Sequence, residues 1–214
     1  MLFAMLTAGR RLSLDPCAQV LVVQEQGTLA EAGRLYGRGL HALGLDPGRI
    51  AFLAARDGDE ALRMTDEAIR SGAAATVVAE VDRAGPKIDL SVTRRFNLSC
   101  RKTATAALLV TPNLDGTSAA MTRWRVRAAP SRAPRRFVGP PTLELELVRN
   151  RLGPVGRFTV EWSSDDAAFR NPAPLRPSVV RAPLDRPAPA CPSRHGAPGG
   201  GGDAEERLAA GGGR

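Results

Sequence analysis

Apolar positions recur at three and four along the opening "MLFAMLTAGRRLSL", where Leu2, Phe3, Leu6, Leu12 and Leu14 predict one buried helical face, and "DPC" from Asp15 turns the chain. The next run, "AQVLVVQ", is β-branched and apolar without alternation, the pattern of a short strand buried on both faces. From Thr28, read as a cap with Glu31 three residues on, Leu29, Ala32, Leu35, Tyr36, Leu40 and Leu43 predict a helix that Gly44 stops. "DPG" at Asp46 turns into a second strand at Ile50 to Leu53, and Gly58 to Arg70 is a second amphipathic helix closed by Ser71 and Gly72. A third strand at Thr76 to Val81, a helix at Ile88 to Lys102 and a fourth strand at Ala106 to Val110 follow. Strands alternating with helices predict an α/β fold with a mostly parallel sheet.

Beyond Val110 the period changes. "MTRWRVRAAP", "TLELELVRN" and "RFTVEW" alternate with period two, which predicts antiparallel strands; Leu143, Leu145 and Leu147 face one way and Glu144 and Glu146 the other. From Asn171 on, Pro, Ala, Arg and Gly dominate, and such a composition cannot offset its ordering entropy by burial. The expected organisation is one domain over residues 1–169 and a disordered tail over 170–214.

Charge adds a direction. Thirty Lys and Arg against 22 Asp and Glu give a formal net charge of +8, and Ser91 to Arg157 carries thirteen basic residues against three acidic ones. That favours polyanions or acidic protein surfaces as partners. Nearly all these cations are Arg, which suits bidentate phosphate or carboxylate recognition and equally a coding sequence rich in G and C. Cys17, Cys100 and Cys191 have no metal-ligand spacing, the apolar opening is too short to span a bilayer, and a cytoplasmic protein without metal site is expected.

No G-x-x-x-x-G-K-[ST] run occurs in these residues, and His41 and His195 suggest no catalytic triad. Two carboxylates stand out by position. Glu25 follows the first buried strand and Glu80 ends the third, at the carboxyl edge where open α/β sheets hold ligands; each also fits a solvated loop or a helix cap. Trp124 lies among Arg123, Arg125 and Arg127, which reads either as a packed Trp beneath a solvated basic face or as a surface for single-stranded nucleic acid. Arg149 and Arg151, one residue apart, project to one side and suit a phosphate or a carboxylate.

The blocks "LVVQEQ", "LYGRGLHALGLDPGRI", "TRRFNLSCR", "SAAMTRWRVRAAPS" and "LELELVRNRLGPVGRFTVEW" resemble ImuA, a family of RecA-like damage-inducible mutagenesis proteins, over Met1 to Phe169. The resemblance implies a RecA-like sheet and a non-enzymatic accessory role in the SOS response. Its implied partners are ImuB, a degenerate relative of Y-family polymerases, and an error-prone C-family polymerase, in mutagenic translesion synthesis; RecA and single-stranded DNA are further candidates. Residue by residue, it implies that Glu25 matches the RecA glutamate that polarises the attacking water. Ala79 stands where the metal-supporting aspartate would be, one place before Glu80, and Asn113 lies near the nucleotide-sensing position of the second DNA-binding loop. Arg149 and Arg151 match two basic residues that reach a neighbouring subunit's nucleotide.

The departures from that pattern are equally specific. The chain starts within what would be the helix after the phosphate loop, so the loop and its central strand are missing from these residues. Unpaired main-chain groups, bare apolar surface and dependence on a partner are expected, and no cofactor or nucleotide hydrolysis is. Competing readings are a weak RecA-type ATPase, a SulA-like inhibitor of cell division and a gene fragment without function.

Overall fold

The computed structural model describes residues 1–81, 88–112, 117–131 and 139–172, all within one compact unit, Met1–Leu175. Asn113 and the expected disordered tail beyond Pro172 lie outside the described residues. Strands β1 (Val20–Glu25), β2 (Ile50–Ala55), β3 (Thr76–Glu80) and β4 (Ala106–Val110) form a parallel sheet in the order β2-β1-β3-β4. Strands β5 (Thr122–Ala128), β6 (Thr142–Asn150), β7 (Gly156–Ser163) and β8 (Ala168–Arg170) form an antiparallel one in chain order. The α/β fold and its antiparallel continuation are thus as the periodicities predict.

The two central parallel strands are buried on both faces because both faces are covered. On one, Val23, Val77 and Ala79 pack with Ala61, Leu62 and Ile69 of α4 (Gly58–Ser71) and Phe96 of α5 (Leu90–Thr103). On the other, Val20, Val22 and Val78 share a core with Ala4, Met5, Leu6, Ala8 and Leu12 of α1 (Leu2–Leu14). That same core includes Leu143, Leu145 and Trp162 of the antiparallel sheet. Helix α1 therefore contributes side chains to the packing of both sheets, and each buried Met or Leu among them is worth about 2 kcal/mol. Leu2 and Leu14, expected on its buried face, are exposed because they sit at its two ends.

The long helix expected from Thr28 to Leu43 is instead two short ones, α2 (Gln26–Ala32) and α3 (Gly37–Ala42). Gly33, at φ +77°, ends the first, and Glu25 rather than Thr28 is its cap residue. Three glycines within seven residues, Gly33, Gly37 and Gly39, weaken a continuous helix more than the apolar spacing supports it. Gly44 is fixed by contact as well as by its φ of +77°: a Cβ there would lie 2.2 Å from the Ser164 carbonyl oxygen, in the turn between β7 and β8. Nearby, the indole of Trp162, only 1% exposed, donates to the Leu43 carbonyl at 2.8 Å. These contacts fasten the turn after α3 to the second sheet.

The block "GLDPGRI" has a mechanical explanation. Asp46 caps a single 3-10 turn, Pro47–Arg49, by accepting from Gly48 N at 2.9 Å, with Pro at its first position. The turn aims Arg49 back under α1. Its guanidinium donates to the carbonyls of Leu12 (3.0 Å), Asp15 (2.5 Å) and Ala18 (3.0 and 2.7 Å). Those oxygens belong to the end of α1 and its link into β1, where helical carbonyls lack partners of their own. One planar cation thus closes the α1 to β1 connection.

Each sheet ends on both sides in a strand with one free edge among the described residues, β2 and β4 in the parallel sheet and β5 and β8 in the antiparallel one. Ala106–Val110 is apolar throughout yet half-exposed over most of its length.

Replacing Arg49 by Met, which keeps the stem and removes all its hydrogen bonds, is expected to cost about 3 kcal/mol in urea unfolding, with Lys recovering only part because it lacks the fork. A loss below about 0.5 kcal/mol would show that water satisfies those carbonyls equally well.

Candidate functional site

The parallel strands bring two carboxylates to their carboxyl ends, but alternation turns them apart. Gln24 and Glu80 are register partners on neighbouring strands and, with Val20, Val22 and Val78, share the face that α1 covers; Glu25 falls at the next position. Gln24 is 2% exposed and donates through Nε2 to Glu80 Oε2 at 2.5 Å. Glu80 Oε1 lies 3.8 Å from the Met1 ammonium, at the start of α1, where the helix dipole also favours an anion. Gln24 Oε1 is buried and has no donor among the described residues. Glu25 is half-buried at the head of α2 and interacts with its surroundings there.

Gln24 is the residue that sequence reading missed. Its signal was present, since a Gln inside "VLVVQ" is a polar group placed where both faces of the strand are buried, and a buried amide requires partners.

Arg149 and Arg151 are brought together, and by a backbone oxygen. Arg149 Nη1 donates to the Ser118 carbonyl at 2.9 Å and Arg151 Nη2 to the same oxygen at 3.3 Å. The segment bearing Ser118 is tied to α5: Ala119 N donates to Thr93 Oγ1 and Asn97 Nδ2 donates to the Ala119 carbonyl, both at 2.9 Å. Arg151 N completes the tie by donating to the Met121 carbonyl at 3.0 Å. Neither guanidinium has an ion-pair partner among the described residues, so two cations stand together with donors to spare. The arrangement suits an anion that accepts several hydrogen bonds.

The basic strand divides differently. A register shift between Arg123 and Trp124 places Arg123 opposite Arg149, while Arg125 and Arg127 lie opposite Glu146 and Glu144. Trp124 is half-buried against Phe3 (centroids 5.7 Å apart) and Phe158 (6.2 Å), on the apolar face of the strand. Arg125 Nη1 reaches Glu146 Oε2 at 2.7 Å and Arg157 Nη2 reaches Glu146 Oε1 at 2.9 Å. Part of the basic face is therefore a charge ladder across three strands, and Arg127 has no ion-pair partner among the described residues. His41 lies exposed in the last turn of α3, and burial pushes the Cys100 thiol up, away from the reactive thiolate. No group of three His, Cys, Asp or Glu side chains that could hold a metal ion occurs among the described residues. No helix among them is long and apolar enough to cross a membrane.

The hydrogen bonds from Arg157 and Arg125 hold the Glu146 carboxyl below the ordinary glutamate value. A depressed folded-state value means that the ladder contributes above the ordinary value and is lost as pH falls through the folded one. Carboxyl NMR titration is expected to find Glu146 ionising below the ordinary glutamate value, and Arg157→Ala to move it toward that value; an unmoved midpoint would show that the ladder does not persist in solution.

No protein-family model matches the chain. Among solved structures it is similar to SulA from Pseudomonas aeruginosa, at 24% identity and a TM-score of 0.39, over 51% of this chain and 85% of that one. Among curated proteins it is similar to ImuA of Caulobacter vibrioides, in two strains, at 30% identity in a 161-residue alignment that covers 69% of this chain and 63% of the relatives' length. The resemblance to ImuA drawn from the sequence blocks is borne out by this similarity, and the chain spans a little under two thirds of the length of the curated relatives it matches.

Proposed function

We propose that this chain is a non-enzymatic accessory protein of damage-inducible, mutagenic translesion DNA synthesis, working in the cytoplasm. The observation that carries the reading is the 30% identity to ImuA over 161 residues. The finer part of the reading gives it a degenerate Y-family polymerase of the ImuB type and an error-prone C-family polymerase as partners, with RecA and single-stranded DNA as further contacts. Hydrolysis is left out of the role because no G-x-x-x-x-G-K-[ST] cradle occurs in these residues, and because Ala79 stands where the resemblance implies a metal-supporting aspartate.

Within this reading Glu25 and Glu80 are remnants of a nucleotide site. The Gln24 to Glu80 hydrogen bond supports a structural part for Glu80, since a carboxylate held by a buried amide is not free to polarise water. Arg149 and Arg151, converging on the Ser118 carbonyl without a carboxylate, are the groups fitted to hold a phosphate-bearing or acidic partner. Arg123, Arg125 and Arg127 of β5 add a contact surface for DNA or a protein partner; Trp124 packs on the other face of that strand, and Asn113, the further candidate, lies outside the described residues. Arg125 contributes least, because Glu146 already holds it.

In a strain deleted for this gene, residues 1–214 are expected to restore mutation induced by ultraviolet light. Alanine at both Arg149 and Arg151 removes about 1.5–3 kcal/mol of charge-assisted contact and is expected to lower the restored frequency about tenfold, with melting temperature measured alongside to separate folding from contact. A chain that folds stably yet leaves mutation frequency at the deleted strain's level would overturn the proposal.

A further inference from the structure

The outer side of β5 has a defined hydrogen-bonding pattern. Ala129 N donates to the Thr142 carbonyl at 2.9 Å, which makes that pair hydrogen-bonded. Bonded and non-bonded pairs alternate along an antiparallel ladder, so Arg127 with Glu144 and Arg125 with Glu146 are the next bonded pairs. Val126 and Ala128 then turn their N–H and C=O groups away from β6, toward a side with no neighbouring strand among the described residues.

The side chains along this edge are equally specific. On one face Val126, Leu145 and Phe158 stand in register across three strands, and the two outer members are 38% and 48% exposed. On the other face stand Arg125 and Arg127. Glu146 is shared between Arg125 and Arg157, and Glu144 stands opposite Arg127, so the face keeps one net positive charge, with both β5 cations at its outer edge.

We propose that the free edge of β5 accepts an extended segment of a partner protein in which acidic and apolar residues alternate. Such a segment supplies both donors and acceptors to the outward main-chain groups of Val126 and Ala128, adds an apolar side chain beside Val126, and sets a carboxylate beside Arg127. A second copy is disfavoured by the same charges. Antiparallel self-pairing about Val126 would set Arg125 directly against Arg127, and like charges opposite one another destabilise a strand pair. A nucleic acid fits less well, because phosphates answer the outward N–H groups and are repelled by the outward carbonyls between them. The proposal stands apart from the mutagenesis reading, since it rests on the strand edge alone.

The test is amide hydrogen exchange on the full 214-residue chain with a short, end-blocked peptide alternating Glu and Val, and with its counterpart in which Lys replaces Glu. At saturating Glu peptide, exchange at Val126 and Ala128 is expected to slow by about tenfold or more, with no change from the Lys peptide. Arg127→Glu is expected to reverse that preference. Val126→Pro removes one outward N–H without touching a bond to β6, and is expected to weaken the response to the Glu peptide while β6 stays protected. Equal protection by both peptides, protection by a short oligothymidine in their place, or complete protection in the free chain at low concentration would each overturn the proposal, the last because the edge would already be filled.

Discussion

One helix serves two sheets. Ala4, Met5, Leu6, Ala8 and Leu12 lie in the core that unites Val20, Val22 and Val78 of the parallel sheet with Leu143, Leu145 and Trp162 of the antiparallel one. Such a helix keeps its exposed polar residues, Arg10, Arg11 and Ser13, in its last turns, and its neighbours elsewhere must come close. Gly9 shows how tight the fit is, since a Cβ there would fall 2.0 Å from Leu45 Cδ2. The helix is fixed at its end by Arg49, whose guanidinium ties the last turn of α1 to the start of β1. Packing supplies most of the stabilisation and the guanidinium supplies position.

The candidate site inherits its geometry from this arrangement. The start of α1 stands near the end of β3, so the Met1 ammonium meets Glu80 and the buried amide of Gln24 meets the same carboxylate. Arg149 and Arg151 come from the second sheet, yet the carbonyl they share belongs to a segment strapped to α5 on the first. The arginine pair therefore keeps its place only while the Ser118 segment stays strapped to α5. A scaffold of this kind suits recognition, which needs fixed groups, and nothing in it calls for a moving lid.

Much of the fold was legible in the sequence because its periods are clean. "VLVV" and "TVVAE" read as strands covered on both faces, "TLELELV" as a ribbon with one wet side, and "GDEALRMTDEAIRSG" carried its cap, its apolar stripe and its closing glycine in order. The failures have local causes. From Thr28 to Leu43 the spacing of apolar residues concealed a glycine at positive φ, and β8 is too short to show any period. Within the site, the identities of Arg149 and Arg151 were visible but their shared acceptor was not, because Ser118 lies some thirty residues upstream and a main-chain oxygen has no signature in a sequence. The partners of Arg125 were hidden likewise, since cross-strand register decides them.

The central claim is that α1 makes the two sheets one cooperative body. It is tested most directly by following urea unfolding with two reporters at once: indole fluorescence of Trp124 and Trp162 for the antiparallel sheet, and amide exchange at Val22 and Val78 for the parallel one. Coincident transitions with one midpoint are expected. Two separated transitions, with the indoles released while Val22 and Val78 remain protected, would contradict the account and make the second sheet an independent attachment.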